Sequence, residues 1–301
     1  RLSAAVVVNG AAGGPATPAV TPAQMQQIES LVREAIGLRK ERGLSQASLA
    51  TQVVGHETSL WRGTGFPAQG AIPGAAAICS DATVGAFPLA ARGGAQERIV
   101  SGLSLQGSSA GNTFLLEDRL GHMGGLSGTV TTAQTVDLDI HTNIGVSNLA
   151  ARVGNANYSE IEWYLEWYTA TGATIATPTA TVTFNDGSTG TVNAWVLGAT
   201  ALPASVAASR RYKLAPTNGL FIRSVQTVTL SVSTGTAGSF GVTAVRRLCA
   251  FEATAANTLQ TRDWADLAAP KVADNACLTL AQICNATSTG ALAGTLRQAV
   301  A

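Results

Sequence analysis

Asp137, Asp139 and His141 alternate along a short stretch of the chain. On a strand all three would project from one face, with neighbours about 6–7 Å apart, and carboxylate oxygens so placed could seed a Ca²⁺ or Mg²⁺ site. A solvated or inter-subunit polar face explains the same pattern, so the three are kept as metal candidates and no ligand set is assigned. Glu160, Glu162 and Glu166 share a face in the same way. Paired carboxylates are what glycoside hydrolysis requires, but the simpler expectation is the wet face of an amphipathic strand. Tyr164 and Tyr168, interleaved with them, have the shape to stack on sugar rings.

The doublets Arg210-Arg211 and Arg246-Arg247 could hold phosphate at strand ends. In a chain of net charge +1 they are expected instead to pair with carboxylates across an interface. Other catalytic patterns are missing. Gly125-Leu126-Ser127-Gly128 lacks the spacing of a nucleophile elbow, and no phosphate-binding glycine loop occurs. His56 and His122 stand in Gly-containing sequence without a triad arrangement. Cys79, Cys249, Cys277 and Cys284 have no CxxC spacing and read as small buried hydrophobes. On one strand Cys277 and Cys284, seven apart, face opposite sides and cannot pair with each other. These residues imply no enzyme, no cofactor and no catalytic group.

The elements that must position these residues are mostly strands. In the segment 158–168, Ile161, Trp163, Leu165 and Trp167 fall on one face and Glu160, Glu162, Tyr164, Glu166 and Tyr168 on the other. Further strand signals follow at 175–184, 191–197, 211–214, 220–222, 227–232 and 240–251, separated by turns such as Asn185-Asp186-Gly187 and Asn218-Gly219. Short strands without intervening helices predict a mainly β fold, a β-sandwich or jelly roll over 114–301, with Trp163, Trp167 and Trp195 in its core. The domain is expected to close with a hairpin of 277–284 and 291–300.

Residues 1–113 read differently. An extended Ala/Gly/Val/Pro arm over 1–20 leads to one amphipathic helix at about 22–42, with Thr21 as N-cap, Pro22 at its first position and an apolar stripe through Met25, Ile28, Val32, Ala35 and Leu38. Gly43 is placed to end it, and 45–53 allows a short second helix. A helix of that length cannot bury its stripe alone, which makes Ile28 and Val32 interface candidates. The Gly/Ala/Pro-rich segment 55–111 is too apolar for ordinary disorder and is expected to be extended and ordered on neighbouring subunits.

Composition bounds the partners. Only 12% of residues are charged, about half the usual share, so the surface must be covered by Thr, Ser, Asn, Gly and Ala and suits packing against other subunits. The balanced charge supplies no basic face for nucleic acid. Apolar runs fall well short of the roughly 18–20 residues of a membrane span, and the run at 4–8 is too short for a signal peptide.

In Asp118-Arg119-Leu120-Gly121-His122, in the run from Gly125 to Val136, in the strand 158–168 with its Thr171-Gly172 turn, and in the closing Asn275-Ala276-Cys277-Leu278 to Gly294 segment, the chain resembles structural proteins of tailed-bacteriophage virions. The resemblance covers residues 114–301. It implies a non-enzymatic capsid cement, decoration or minor capsid protein located in the virion, assembled as a homotrimer and contacting the major capsid protein. A tail or fibre protein binding a receptor or carbohydrate is the alternative it implies.

Overall fold

β-branched and aromatic residues alternating with polar ones form strands through most of the chain. The computed structural model describes residues 40–47 and 52–300, apart from 95, 145–150, 196–199, 217, 237 and 288–290. In order the strands are β1 (Lys40–Ala47), β2 (Glu57–Ser59), β3 (Thr64–Phe66), β4 (Ala77–Ile78), β5 (Arg98–Gly107), β6 (Asn112–Ser127), β7 (Gln134–Asp139), β8 (Ile161–Trp167), β9 (Pro178–Phe184), β10 (Thr189–Trp195), β11 (Arg211–Leu214), β12 (Ile222–Leu230), β13 (Ser239–Ala253), β14 (Gln260–Asp263), β15 (Leu278–Ile283) and β16 (Leu292–Val300). Among the described residues, the one-turn helices α1 (Ile140–Asn143) and α2 (Trp264–Leu267) interrupt them, and residues 151–153 are also helical. The fold is mainly β, in the sandwich class that the alternation predicts.

A small sheet has the order β14-β5-β16-β1-β3. A large one runs β2-β15-β6-β13-β8-β11-β10-β9-β12-β7, with β4 also on β6. Two apolar cores share the long strands β6 and β13. In the first, Trp163, Leu165, Trp167, Phe240 and Val242 pack with Leu138, Val182 and Val225, so the far half of the large sheet folds over the near half. Trp167 stacks on Phe240 with ring centroids 4.8 Å apart. In the second, Phe114, Leu116, Phe251, Leu278 and Leu280 meet Leu44, Leu103, Leu105, Leu292 and Leu296 of the small sheet.

Six strands of the large sheet also close on themselves. β2 pairs with β15 on one side. On the other side Thr58 bridges Arg210 at the start of β11, and the Ser59 amide donates to the Ser209 carbonyl at 2.8 Å. The cycle β2-β15-β6-β13-β8-β11 is thus a small antiparallel barrel, and period-two alternation gives each of its strands an inner and an outer face.

Several expectations are corrected. Residues 22–39, with Ile28 and Val32, lie outside the described residues, but 40–42, the expected last turn of the helix, begin β1. Leu44 and Gln46 are buried while Gly43 and Ser45 on either side are not, because β1 adds to the small sheet beside β16. The Gly/Pro-rich segment carries β2 to β5 and packs within the same compact unit as the later strands. β15 and β16 are strands but no hairpin, for β15 pairs β2 and β6 while β16 pairs β1 and β5. Trp195 is 55% exposed and so stands outside the core.

Candidate functional site

The barrel interior is charged. β8 turns Ile161, Trp163, Leu165 and Trp167 outward to the first core, and Glu162, Tyr164 and Glu166 therefore face the lumen. There they meet Glu117 and Arg119 from β6, Thr243 and Arg247 from β13, Arg211 and Lys213 from β11, and Glu57 from β2. Contacts between strands that are not neighbours in the sheet demonstrate the closure. Arg211 Nη1 donates to Glu117 Oε2 at 2.8 Å, and Arg119 Nη2 lies 2.8 Å from Glu166 Oε2.

At the closed end, Arg119 also donates to Thr243 Oγ1 at 3.0 Å and to His122 Nδ1 at 3.1 Å, and stacks over Trp61 at 4.5 Å from the ring centroid. Thr243 donates to Glu166 at 2.6 Å. Gly70 makes room for Trp61: a Cβ there would enter the indole. In the middle, Arg211 reaches both Glu117 and Glu57 and lies over Tyr164 at 4.2 Å. Toward the other end, Glu162 accepts from Lys213 Nζ at 2.7 Å, Arg247 Nη2 at 2.8 Å and the Tyr164 hydroxyl at 2.7 Å. Exposure rises along this line, from 1% at the Arg119 and Glu166 side chains to 34% at Arg247 and 44% at Lys213.

Burial raises the Glu166 carboxyl, but the Arg119 charge and hydrogen bonds from Arg119, Ser59 and Thr243 outweigh it and hold the group at about 2. Glu117 goes the other way. Its complete burial raises the carboxyl above the usual range against the opposing charge of Arg211. Burial likewise raises the Tyr164 and Tyr168 hydroxyls. Four carboxylates thus face four cations in the lumen, and their chemistry is mutual neutralisation.

The expected site residues are dispersed. β7 ends at Asp139, so Asp137, Asp139 and His141 do not alternate on one strand. Asp137 has φ 47°, Asp139 caps α1 by accepting from the Thr142 amide at 3.1 Å, and His141 Nδ1 pairs with the Tyr158 hydroxyl. Of the three glutamates, only Glu160 keeps a largely wet position, 43% exposed and 2.6 Å from Arg246. Glu166 is buried. Tyr164 and Tyr168, at 1% and 2% exposure, offer no surface on which a sugar could stack. The carboxylates that meet Arg211, Arg246 and Arg247 belong to the same chain, and Arg210 is buried beside Tyr212. Sequence reasoning missed Glu117 and Arg119. Their signal was the run Glu117-Asp118-Arg119 inside an otherwise apolar strand, in a chain with few charges.

The comparisons with known proteins point away from the phage resemblance. A family model described as the flagellar M-ring protein C-terminal matches residues 1–47 of the 301. Neither a curated protein nor a solved structure matches the chain. The virion location, the capsid cement, decoration or minor capsid role, and the tail or fibre alternative are therefore withdrawn, since the matching family is a flagellar ring protein and no phage homologue supports residues 114–301.

Proposed function

We propose that the chain is a non-enzymatic structural subunit of a flagellar-type ring, self-associating through its N-terminal segment while the β body serves as a rigid attached module. The observation that carries this reading is the family match over residues 1–47. The expected apolar stripe through Ile28 and Val32 falls inside that segment and supplies a face suited to a second copy. A structural role also suits the lumen. A general acid or base works best with a pKa near the operating pH, whereas Glu166 is held at about 2, and its neighbours are committed to ion pairs.

The test is the mass and shape of the full chain in solution, by light scattering on a sizing column and by negative-stain images. Closed multi-subunit rings are expected, and Ile28→Asp with Val32→Asp should reduce them to small species without altering the β circular-dichroism spectrum. A full chain that stays monomeric at every concentration, alone and with a flagellar M-ring protein, would overturn the proposal.

A further inference from the structure

Two of the four free cysteines lie beside each other although they are far apart in sequence. β4 and β15 both run antiparallel to β6 along the same edge: Ile78 is opposite Gly121, and Leu278 is opposite Asp118. One strand therefore ends where the other begins. The Cys79 amide donates to the Leu120 carbonyl at 3.0 Å, and the Cys277 carbonyl accepts from the Arg119 amide at 2.8 Å, so the two cysteines are pinned to consecutive residues of β6. One buried ion pair fixes both backbones. Asp118 Oδ1 accepts from the Cys277 amide at 2.8 Å, and Arg152, which forks onto Asp118 at 2.6 and 2.9 Å, donates to the Cys79 carbonyl at 2.7 Å. The two cysteines share one small buried cluster with Trp61 and Tyr168, where each thiol bears on the ionisation of the other and His122 bears on Cys79.

We propose that Cys79 and Cys277 form a hydroperoxide-reactive thiol pair that closes to a disulfide. The Cys79 thiolate attacks one peroxide oxygen, the O–O bond breaks, and the departing hydroxide takes a proton to leave as water, with Cys79 oxidised to the sulfenic acid. The Cys277 sulfur then attacks Cys79, the S–O bond breaks, and the hydroxyl leaves with the Cys277 proton as a second water. One peroxide is reduced and two thiols are oxidised. This is the ordinary course for a nucleophilic cysteine poised beside a resolving one.

The division of labour follows from the surroundings. Burial raises Cys79, but hydrogen bonds from Cys277 and His122 and the charges of His122 and Arg119 bring it well below the ordinary thiol value; the hydrogen bond to Cys79, followed by burial, drives Cys277 well above. Cys249 and Cys284 are internal controls, pushed up to about 12 and about 11 by burial, and thiolate character governs reactivity. Access comes through the two-residue β4 and its neighbours. Ala77, Asp81, Ala82 and Val84 are exposed, so a local opening short of global unfolding uncovers Cys79.

The test treats the folded full chain with hydrogen peroxide, alkylates the remaining thiols and maps the peptides. Loss of two of the four thiols with a dithiothreitol-reversible Cys79–Cys277 peptide is expected. Cys277→Ser should accumulate a sulfenic acid at Cys79 that dimedone captures, and Cys79→Ser should yield neither product. Four intact thiols after peroxide treatment of the wild-type chain, a link through Cys249 or Cys284, or first oxidation at Cys277 would each overturn the proposal. The wild-type map decides even if a variant fails to fold.

Discussion

The Arg119 and Glu166 side chains are each 1% exposed and pair with each other. Removing one partner of such a pair strands a buried charge at a cost of about 3–5 kcal/mol. Glu166→Gln is therefore expected to lower stability by that amount near neutral pH, measured by urea unfolding. Replacing Arg119 and Glu166 together by apolar residues of similar volume should recover most of the loss. Acid reveals the same pair. Because Glu166 titrates at about 2 when folded, below its unfolded value, the stability it supplies is complete above about pH 4.5 and is lost as pH falls toward 2, roughly 3 kcal/mol in all. Glu117 has the opposite sign. Its raised folded value means that its ionised form opposes folding, an effect relieved by protonation as pH drops. Urea midpoints across this range should lose the acid limb in Glu166→Gln and keep it in Glu117→Gln. At this scale the sequence misled: alternation in 161–167 separates two faces, but it does not say whether the polar face meets water or four cations.

For the elements, period and pairing diverge in instructive ways. β8 was legible because Ile161, Trp163, Leu165 and Trp167 repeat every second residue over its whole length. β1 was obscured because Lys40, Glu41 and Arg42 continue a plausible helical pattern, and only the partners β16 and β3 decide for strand. β15 and β16 read as a hairpin because they are consecutive; Leu292 and Leu296 are instead drawn to Leu44 and Leu103 in the small sheet. Leu296→Ala should consequently cost about 2–5 kcal/mol, read as a lowered thermal midpoint. Gly70→Ala is expected to displace Trp61 from Arg119 and shift the tryptophan emission, while Gly74→Ala, which meets open space, should leave both emission and midpoint unchanged.

At the level of the whole β body, two cores are built on the same pair of strands. β6 and β13 run through both, so neither core can melt without disturbing the ladder that the other depends on. Amide exchange should therefore be slowest in the centres of β6 and β13 and fast in β3, β4 and β14, the short strands at the margins, and a two-step melt with independent midpoints would contradict this. The mainly β class was readable from turn spacing. The barrel was not, because its closure rests on Thr58 and Arg210, which are 152 positions apart and carry no local signature.

That closure has a further consequence. Around the cycle, the junctions β2/β15, β15/β6, β6/β13, β13/β8 and β8/β11 are ladders of three or more residue pairs, while β2 meets β11 at a single bridge. The perimeter is a bracelet with one clasp. Undoing it is expected to open the lumen to water before the strands come apart. The exchange rate of the Ser59 amide then becomes a clock for the interior, setting how quickly the buried charges sense a change in the solution outside.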